Sequence, residues 1–282
     1  MKKTIKNLIK NDKILEQNIK DLINRISQKF NIDNINKINK KGSKCSINGK
    51  KYELTIYNIV KKCKLNGKNF NTQNKNELGG CSAKNDIECN MNSINDISIE
   101  IKKSKTPDWM QCSLKYDHIN QQWLGSLNNK IPQECKQIFE NFIINITLFN
   151  GNIPPFMLRN ITHDEWIKIK NETNDYKDIY INCPNDTIKK LYSLKGCSYI
   201  QISEKGLYHL GNDICNFNVP EFICDQRLRI RTKVHSKKNK NGFCKLSVNI
   251  SCQPINIKNL ANSNYSLDNK INLPMNLIYN DN

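Results

Sequence analysis

The run Asp96-Ile97-Ser98-Ile99-Glu100-Ile101-Lys102 alternates polar and apolar side chains without a break. On an extended chain successive side chains point to opposite faces, so three isoleucines face one way and Ser98, Glu100 and Lys102 the other. Helical spacing does not sort these residues, and the segment is expected to be a strand with one face on a core. Asp86-Ile87-Glu88-Cys89 alternates in the same manner, and residues 90–95 join the two runs as a hairpin loop. Such a hairpin carries Asp86 on the strand beside the one that presents Glu100 and Lys102.

Around the hairpin the period changes. Residues 4–30 place Ile5, Leu8, Ile9, Leu15, Ile19, Leu22, Ile23, Ile26 and Phe30 three and four apart, the spacing of an amphipathic helix. Residues 31–46 form a polar connector. Tyr52–Cys63, Gln133–Phe142 and Asp186–Leu194 also read as helices. Thr106-Pro107-Asp108 has the form of an N-cap, a proline at the first helical position and an acidic first turn. A helix is therefore expected from there to about Asp117. Ser198–Ser203, Arg227–His235 and Lys245–Ser251 alternate as strands do, and Gly206–Gly211 reads as a tight strand or turn. Together these patterns predict an α/β chain of the α+β kind with a mixed sheet. Its expected divisions are an N-terminal helix and connector over 1–44, a core over 45–150, and a β-rich basic extension over 151–282 that completes the same globule.

Lysine and arginine number 44 against 26 acids, a formal charge of +18. That excess points to polyanions, nucleic acid before an anionic membrane surface. No apolar stretch is long enough to span a bilayer or to follow the basic N-terminus as a secretory signal, so an intracellular protein without a membrane partner is expected. Twelve cysteines lie no closer than eight positions apart, which excludes CxxC zinc and iron–sulfur spacings. Their even count would allow a disulfide framework; reduced cysteines used as small apolar filler are the better reading. His118, His163 and His209 lie apart, with no metal-binding spacing. No nucleotide-binding glycine loop is present.

Acid-x-lysine triplets occur at Glu100/Lys102, Glu134/Lys136, Asp175/Lys177 and Asp268/Lys270, about as often as this lysine content gives by chance. Context separates them. Pro107-Asp108 with Glu134-Cys135-Lys136 mimics a familiar spelling, but Glu134 and Lys136 fall in a helical pattern. Only Glu100 and Lys102 share one face of a strand, with a second acid, Asp86, on its hairpin partner. Gly79-Gly80-Cys81-Ser82 precedes Asp86 and lets a backbone approach closely.

These residues resemble the PD-(D/E)xK nuclease superfamily, to which restriction endonucleases and phage-type exonucleases belong. The resemblance rests on the run from Glu77 to Asp86, on Ile99-Glu100-Ile101-Lys102-Lys103-Ser104 and on Gln111, within about residues 50–120. It implies a restriction-endonuclease-like core. Asp86, Glu100 and the Ile101 carbonyl would be ligands of Mg²⁺, with Mn²⁺ as a substitute. Lys102 would orient the attacking water, Glu77 would be an added acid, and Gln111 would stand on the helix that follows. Ser82 and Lys84 would touch the scissile phosphate of DNA. The family's proline is replaced by Asn85, and Gln111 and Tyr116 are five apart where the RecB-like branch has four.

Arginine is scarce, yet three of the five stand at alternate positions in one strand, Arg227, Arg229 and Arg231, with Lys233 and His235 continuing the same face. A fork-shaped donor suits phosphate and guanine edges, so this ladder is expected to contact DNA. The implied function is a Mg²⁺-dependent, restriction-like DNA endonuclease. Its alternatives are a repair or recombination exonuclease or junction resolvase of the same chemistry, and a non-catalytic DNA-binding protein on a nuclease-like scaffold. Cutting both strands with one site per chain would call for a homodimer.

Overall fold

A computed structural model describes residues 47–280 except 70, 73–84, 92, 93, 129, 236 and 237. The chain divides into two units, 1–51 and 52–282, and the architecture below is that of the second. The expected helix over 4–30 and the connector after it lie outside the described residues. So do Glu77, Gly79, Gly80, Cys81, Ser82 and Lys84.

In this unit helix α1 covers 52–60 and turns Ile56, Tyr57 and Val60 inward. Strands β1 (Cys63–Leu65), β2 (Lys68–Asn69) and β3 (Asn71–Thr72) follow, and then the predicted hairpin, β4 (Ile87–Met91) and β5 (Ile94–Lys102). β4 and β5 pair antiparallel, with Ile87 opposite Ile99. Next come β6 (Trp109–Asp117), β7 (Gln122–Gly125), α2 (Gln133–Ile143), α3 (His163–Glu172), β8 (Ile179–Asn182) and α4 (Thr187–Leu194). The last strands are β9 (Tyr199–Ile202), β10 (Gly206–His209), β11 (Gln226–Val234), β12 (Leu246–Pro254) and β13 (Leu277–Tyr279).

These strands make a five-stranded sheet in the order β10-β9-β5-β4-β3, another in the order β7-β6-β12-β11-β8, and a small sheet β13-β1-β2. The fold is thus α+β with mixed pairing, because β5 and β9 run parallel while their neighbours run antiparallel. Parallel strands are covered on both faces, and every residue of β9 is buried. Ile97, Ile99 and Ile101 pack with Ile56, Val60 and Phe217 on one side of the sheet. Ile200 and Ile202 pack on the other side with Phe139, Trp166 and Leu191, the core that also backs the second large sheet. Each isoleucine so buried contributes roughly 1.5–3 kcal/mol.

One expected element is corrected. Residues 109–117 form the strand β6, not a helix begun at Thr106-Pro107-Asp108. A cap signal of three residues competes there with an alternation, Cys112 and Leu114 inward, Gln111, Ser113 and Lys115 less buried, that satisfies its backbone in ladders to β7 and β12. Asp108 is accordingly no helix cap, and Gln111 stands on a strand.

The ten described cysteines are all free thiols, eight of them buried. Among the described residues no helix is long and apolar enough to cross a membrane.

Gly206 opens β10 with φ +101°, and a Cβ there would lie 2.5 Å from the Tyr265 carbonyl oxygen and 2.9 Å from Ser263 Cβ. Backbone cannot yield as a flexible side chain does. Gly206→Ala is expected to cost about 2 kcal/mol or more, read as a fall in Tm of about 5 °C; an unchanged Tm would contradict this packing.

Candidate active site

Asp86 lies one residue ahead of β4, and Glu100 and Lys102 project from the same face of β5, as period two requires. The side chains meet. Lys102 Nζ lies 2.5 Å from Glu100 Oε1 and 3.5 Å from Asp86 Oδ2. It also donates to the Ile101 carbonyl oxygen at 3.1 Å. The Ile101 N–H donates to Asp86 Oδ2 at 2.8 Å, fixing the acid against the strand it faces. Three hard oxygens therefore converge on one cation, the lysine's own ammonium.

A second lysine joins them. Lys195 caps the C-terminus of α4, and Gly196 follows at φ +92°. Cys197 N bonds back to the Tyr192 carbonyl and Gly196 N to that of Ser193, the double closure of a glycine-terminated helix. This turn leads directly into β9, which lies alongside β5. Lys195 Nζ thereby reaches Glu100 Oε2 at 2.8 Å. Cys197 Sγ donates to Asn85 Oδ1 at 3.0 Å. Tyr192 lies under both lysines, 5.5 Å from Lys102 Nζ and 5.8 Å from Lys195 Nζ by ring centroid.

Burial decides the electrostatics. Glu100 is only 3% exposed and Asp86 8%. Burial pushes the Asp86 carboxyl up, the Lys102 ammonium pulls it back, and the Glu100 carboxylate adds to the rise, so the net shift is upward. Burial also pushes on Glu100, but the ammoniums of Lys102 and Lys195 outweigh it and hold that carboxyl low. For Lys102, desolvation disfavours the charge, yet the two carboxylates prevail and its pKa lies well above the ordinary lysine value. Lys102 is therefore a permanent cation at neutral pH. It can donate hydrogen bonds and balance negative charge, and it cannot serve as a base. Burial holds the Cys197 thiol far above its usual range, as a neutral donor to Asn85.

Among the described residues no three His, Cys, Asp or Glu side chains gather as a metal-binding group. The donors at hand are two carboxylates and a backbone carbonyl. Mg²⁺ is commonly held by one or two carboxylates with water completing its shell, so this set fits it, with Lys102 Nζ standing where a cation would bind.

The group lies in the wall of a cleft of about 630 Å³. Glu53 of α1 lines it, as do Asp108, Gln111, Asn249 and the cations Lys130, Lys195, Lys233 and Lys245. Gln111 thus arrives beside the acids although it stands on a strand and not on the expected helix, and its Oε1 accepts from Lys233 Nζ at 3.1 Å. Lys195, Tyr192, Glu53 and Lys245 were not singled out in the sequence. A lysine-glycine pair closing a helix before a strand was the one available sign of Lys195.

The arginine ladder is spent largely on internal partners. Arg227 lies over the Tyr180 ring at 4.0 Å and donates to Gln253. Arg229 pairs with Asp178 at 2.5 Å and Asp108 at 3.4 Å, and Arg231 with Asp108 at 2.7 Å. These three are not in the cleft wall, whereas Lys233 and His235 are. Burial, then Lys233, Lys245 and Arg231, lower the pKa of His235, whose Nε2 is hydrogen-bonded to Ser247 Oγ. Compared with protein-family models, with curated proteins and with solved structures, the chain gives no match.

Proposed function

We propose that the chain is a Mg²⁺-dependent deoxyribonuclease of the PD-(D/E)xK kind, an endonuclease in its leading form. The observation that carries this reading is the meeting of Asp86 Oδ2, Glu100 Oε1 and the Ile101 carbonyl at one cation, in a cleft with four further lysines. Asp86, Glu100 and Ile101 would hold Mg²⁺, which when bound supplies Lewis-acid charge to a phosphoryl oxygen and makes its water more acidic.

The chain's own groups divide the remaining work. Lys195 clamps the outer oxygen of Glu100 and leaves Oε1 facing Lys102. The Ile101 N–H aims Asp86. Lys102, always charged, orients the attacking water and balances the charge that builds on the phosphate. Gln111 and Lys233, hydrogen-bonded to one another, offer a further cation and amide for the strand being cut.

Supercoiled plasmid tests this. Cleavage is expected with Mg²⁺, absent with EDTA, and lowered about 10³-fold in Asp86→Asn and in Glu100→Gln. Equal activity in all three proteins, or no cleavage of circular, linear or single-stranded DNA by the unaltered protein with either Mg²⁺ or Mn²⁺, overturns the reading. Cutting of linear but not circular DNA would assign the exonuclease form instead.

A further inference from the structure

The cleft does not end at the acids. A neighbouring depression of about 330 Å³ shares Ser113, Asn128, His235 and Lys245 with it. Another of about 410 Å³ shares Phe156, Lys245 and Leu246 with the second. The three adjoin one another through these shared walls, and the character of this trough changes along its length. Buried carboxylates with Lys102 mark one end. Lys130, Lys233 and Lys245 occupy the middle, beside Asn128 and Asn249. At the far end stand Phe156 and Phe243.

Phe243 is 37% exposed, on the segment that leads into β12. Phe156 is partly buried and braced edge-on against Trp166, with centroids 4.8 Å apart. Arg159, in the same wall, is paired with Glu165, and Lys130, Lys233 and Lys245 add positive charge along the trough.

A basic track ending at an exposed aromatic ring, Phe243, with the partly buried Phe156 beside it, is an arrangement suited to single-stranded nucleic acid: phosphates follow the charge and unpaired bases stack on a ring. In a duplex the base faces are covered by their neighbours, and rings at the end of a trough could reach them only by forcing the stack open. The acids point the same way. Side chains 3% and 8% exposed are reached more readily by a thin flexible strand than by a rod. We infer that this trough binds one DNA strand in single-stranded form, with phosphates on Lys233 and Lys245, bases on Phe243 and Phe156, and the scissile phosphate at Lys102. The inference rests on the nuclease reading for its end at Lys102 and stands apart from it in the rest of its length.

Binding is measured with EDTA present, so that no cleavage enters, by fluorescence anisotropy of labelled oligo-dT and of a duplex of equal length. The single strand is expected to bind about tenfold more tightly than the duplex at matched salt. Phe243→Ala is expected to weaken single-strand binding about tenfold, as loss of one base-stacking ring does, and Phe243→Trp to restore it. Because Phe243 is exposed at a rim, the circular dichroism of both variants should match that of the unaltered chain. Lys245→Ala should lower the dependence of affinity on salt. Equal affinity for strand and duplex, or unchanged single-strand affinity in Phe243→Ala, overturns the inference. Single-strand binding without any metal-dependent cutting would leave the trough standing and remove the nuclease reading. Cutting with an indifferent Phe243 would do the reverse.

Discussion

Lys102→Ala is expected to lower metal-dependent cleavage by about 10³-fold and, at the same time, to bind Mn²⁺ more tightly than the unaltered chain. The two effects have one origin. In the structure the ammonium of Lys102 sits among Asp86 Oδ2, Glu100 Oε1 and the Ile101 carbonyl. On the proposed function a divalent ion would have to displace it, so the lysine would compete for the oxygens it would later assist. Two unit charges about 4 Å apart interact by about 4 kcal/mol at an effective dielectric near 20. Part of that gain is lost to the mutual repulsion of the freed carboxylates, leaving an expected rise in Mn²⁺ affinity of about tenfold or more, measurable by calorimetry. A purely structural ion-pair cluster predicts something else. Mn²⁺ would then bind to neither protein, and the variant would be destabilised by about 3–5 kcal/mol, as when a buried charge loses its partner. Lys102→Met, which fills the space without the charge, separates the loss of packing from the loss of charge.

On the proposed function the same groups would set the pH profile of cleavage by the unaltered protein. Metal binding would need Asp86 ionised, and burial, reinforced by Glu100, raises its pKa. Cleavage should therefore fall on acidification at a pH above the ordinary carboxylate value of about 3.9. Glu100, held low by two lysines, stays ionised through that range. No alkaline loss is expected below the ordinary lysine pKa, because Lys102 is shifted upward. A fall in activity between neutrality and mildly alkaline pH would contradict a permanently charged Lys102.

What could be read in the sequence was what local periodicity encodes. The hairpin that places Asp86 beside Glu100 and Lys102 is written in two alternating runs, and β11, β12 and α4 are equally plain. Helix signals at 106–108 misled because capping chemistry is local and weak, while the strand at 109–117 is stabilised by ladders to β7 and β12, the second more than a hundred residues away. Lys195 reaches Glu100 only because β9 lies parallel to β5, a pairing across 100 residues that no local pattern announces. The ladder shows the opposite failure. Its alternation does mark a strand face, but alternation gives the side a side chain takes and not the partner it finds there. Asp108 and Asp178 supply partners for Arg229 and Arg231.

Asp108→Ala is expected to cost about 3 kcal/mol of stability and to strengthen binding to DNA. The Asp108 side chain is 6% exposed and accepts from Ser251 Oγ at 3.0 Å and Gln253 Nε2 at 2.8 Å, besides its ion pairs with Arg229 and Arg231. An exposed pair would be worth no more than about 1 kcal/mol; this one differs because both arginine side chains are about four-fifths buried, at 18% and 24% exposure. After the substitution Arg229 keeps Asp178, while Arg231 loses the acid that Asp108 provided. The cost is read as a lower urea midpoint with unchanged slope; a loss under about 0.5 kcal/mol would show that the cluster does not brace the sheet. Arg231 is then available to a phosphate, and the slope of log affinity against log salt should steepen by about 0.9 for each additional phosphate neutralised. A steeper slope in a less stable protein would mean that Asp108 restrains the ladder's charge. An unchanged slope would mean that Arg227, Arg229 and Arg231 serve the sheet alone and leave DNA to the lysines of the cleft.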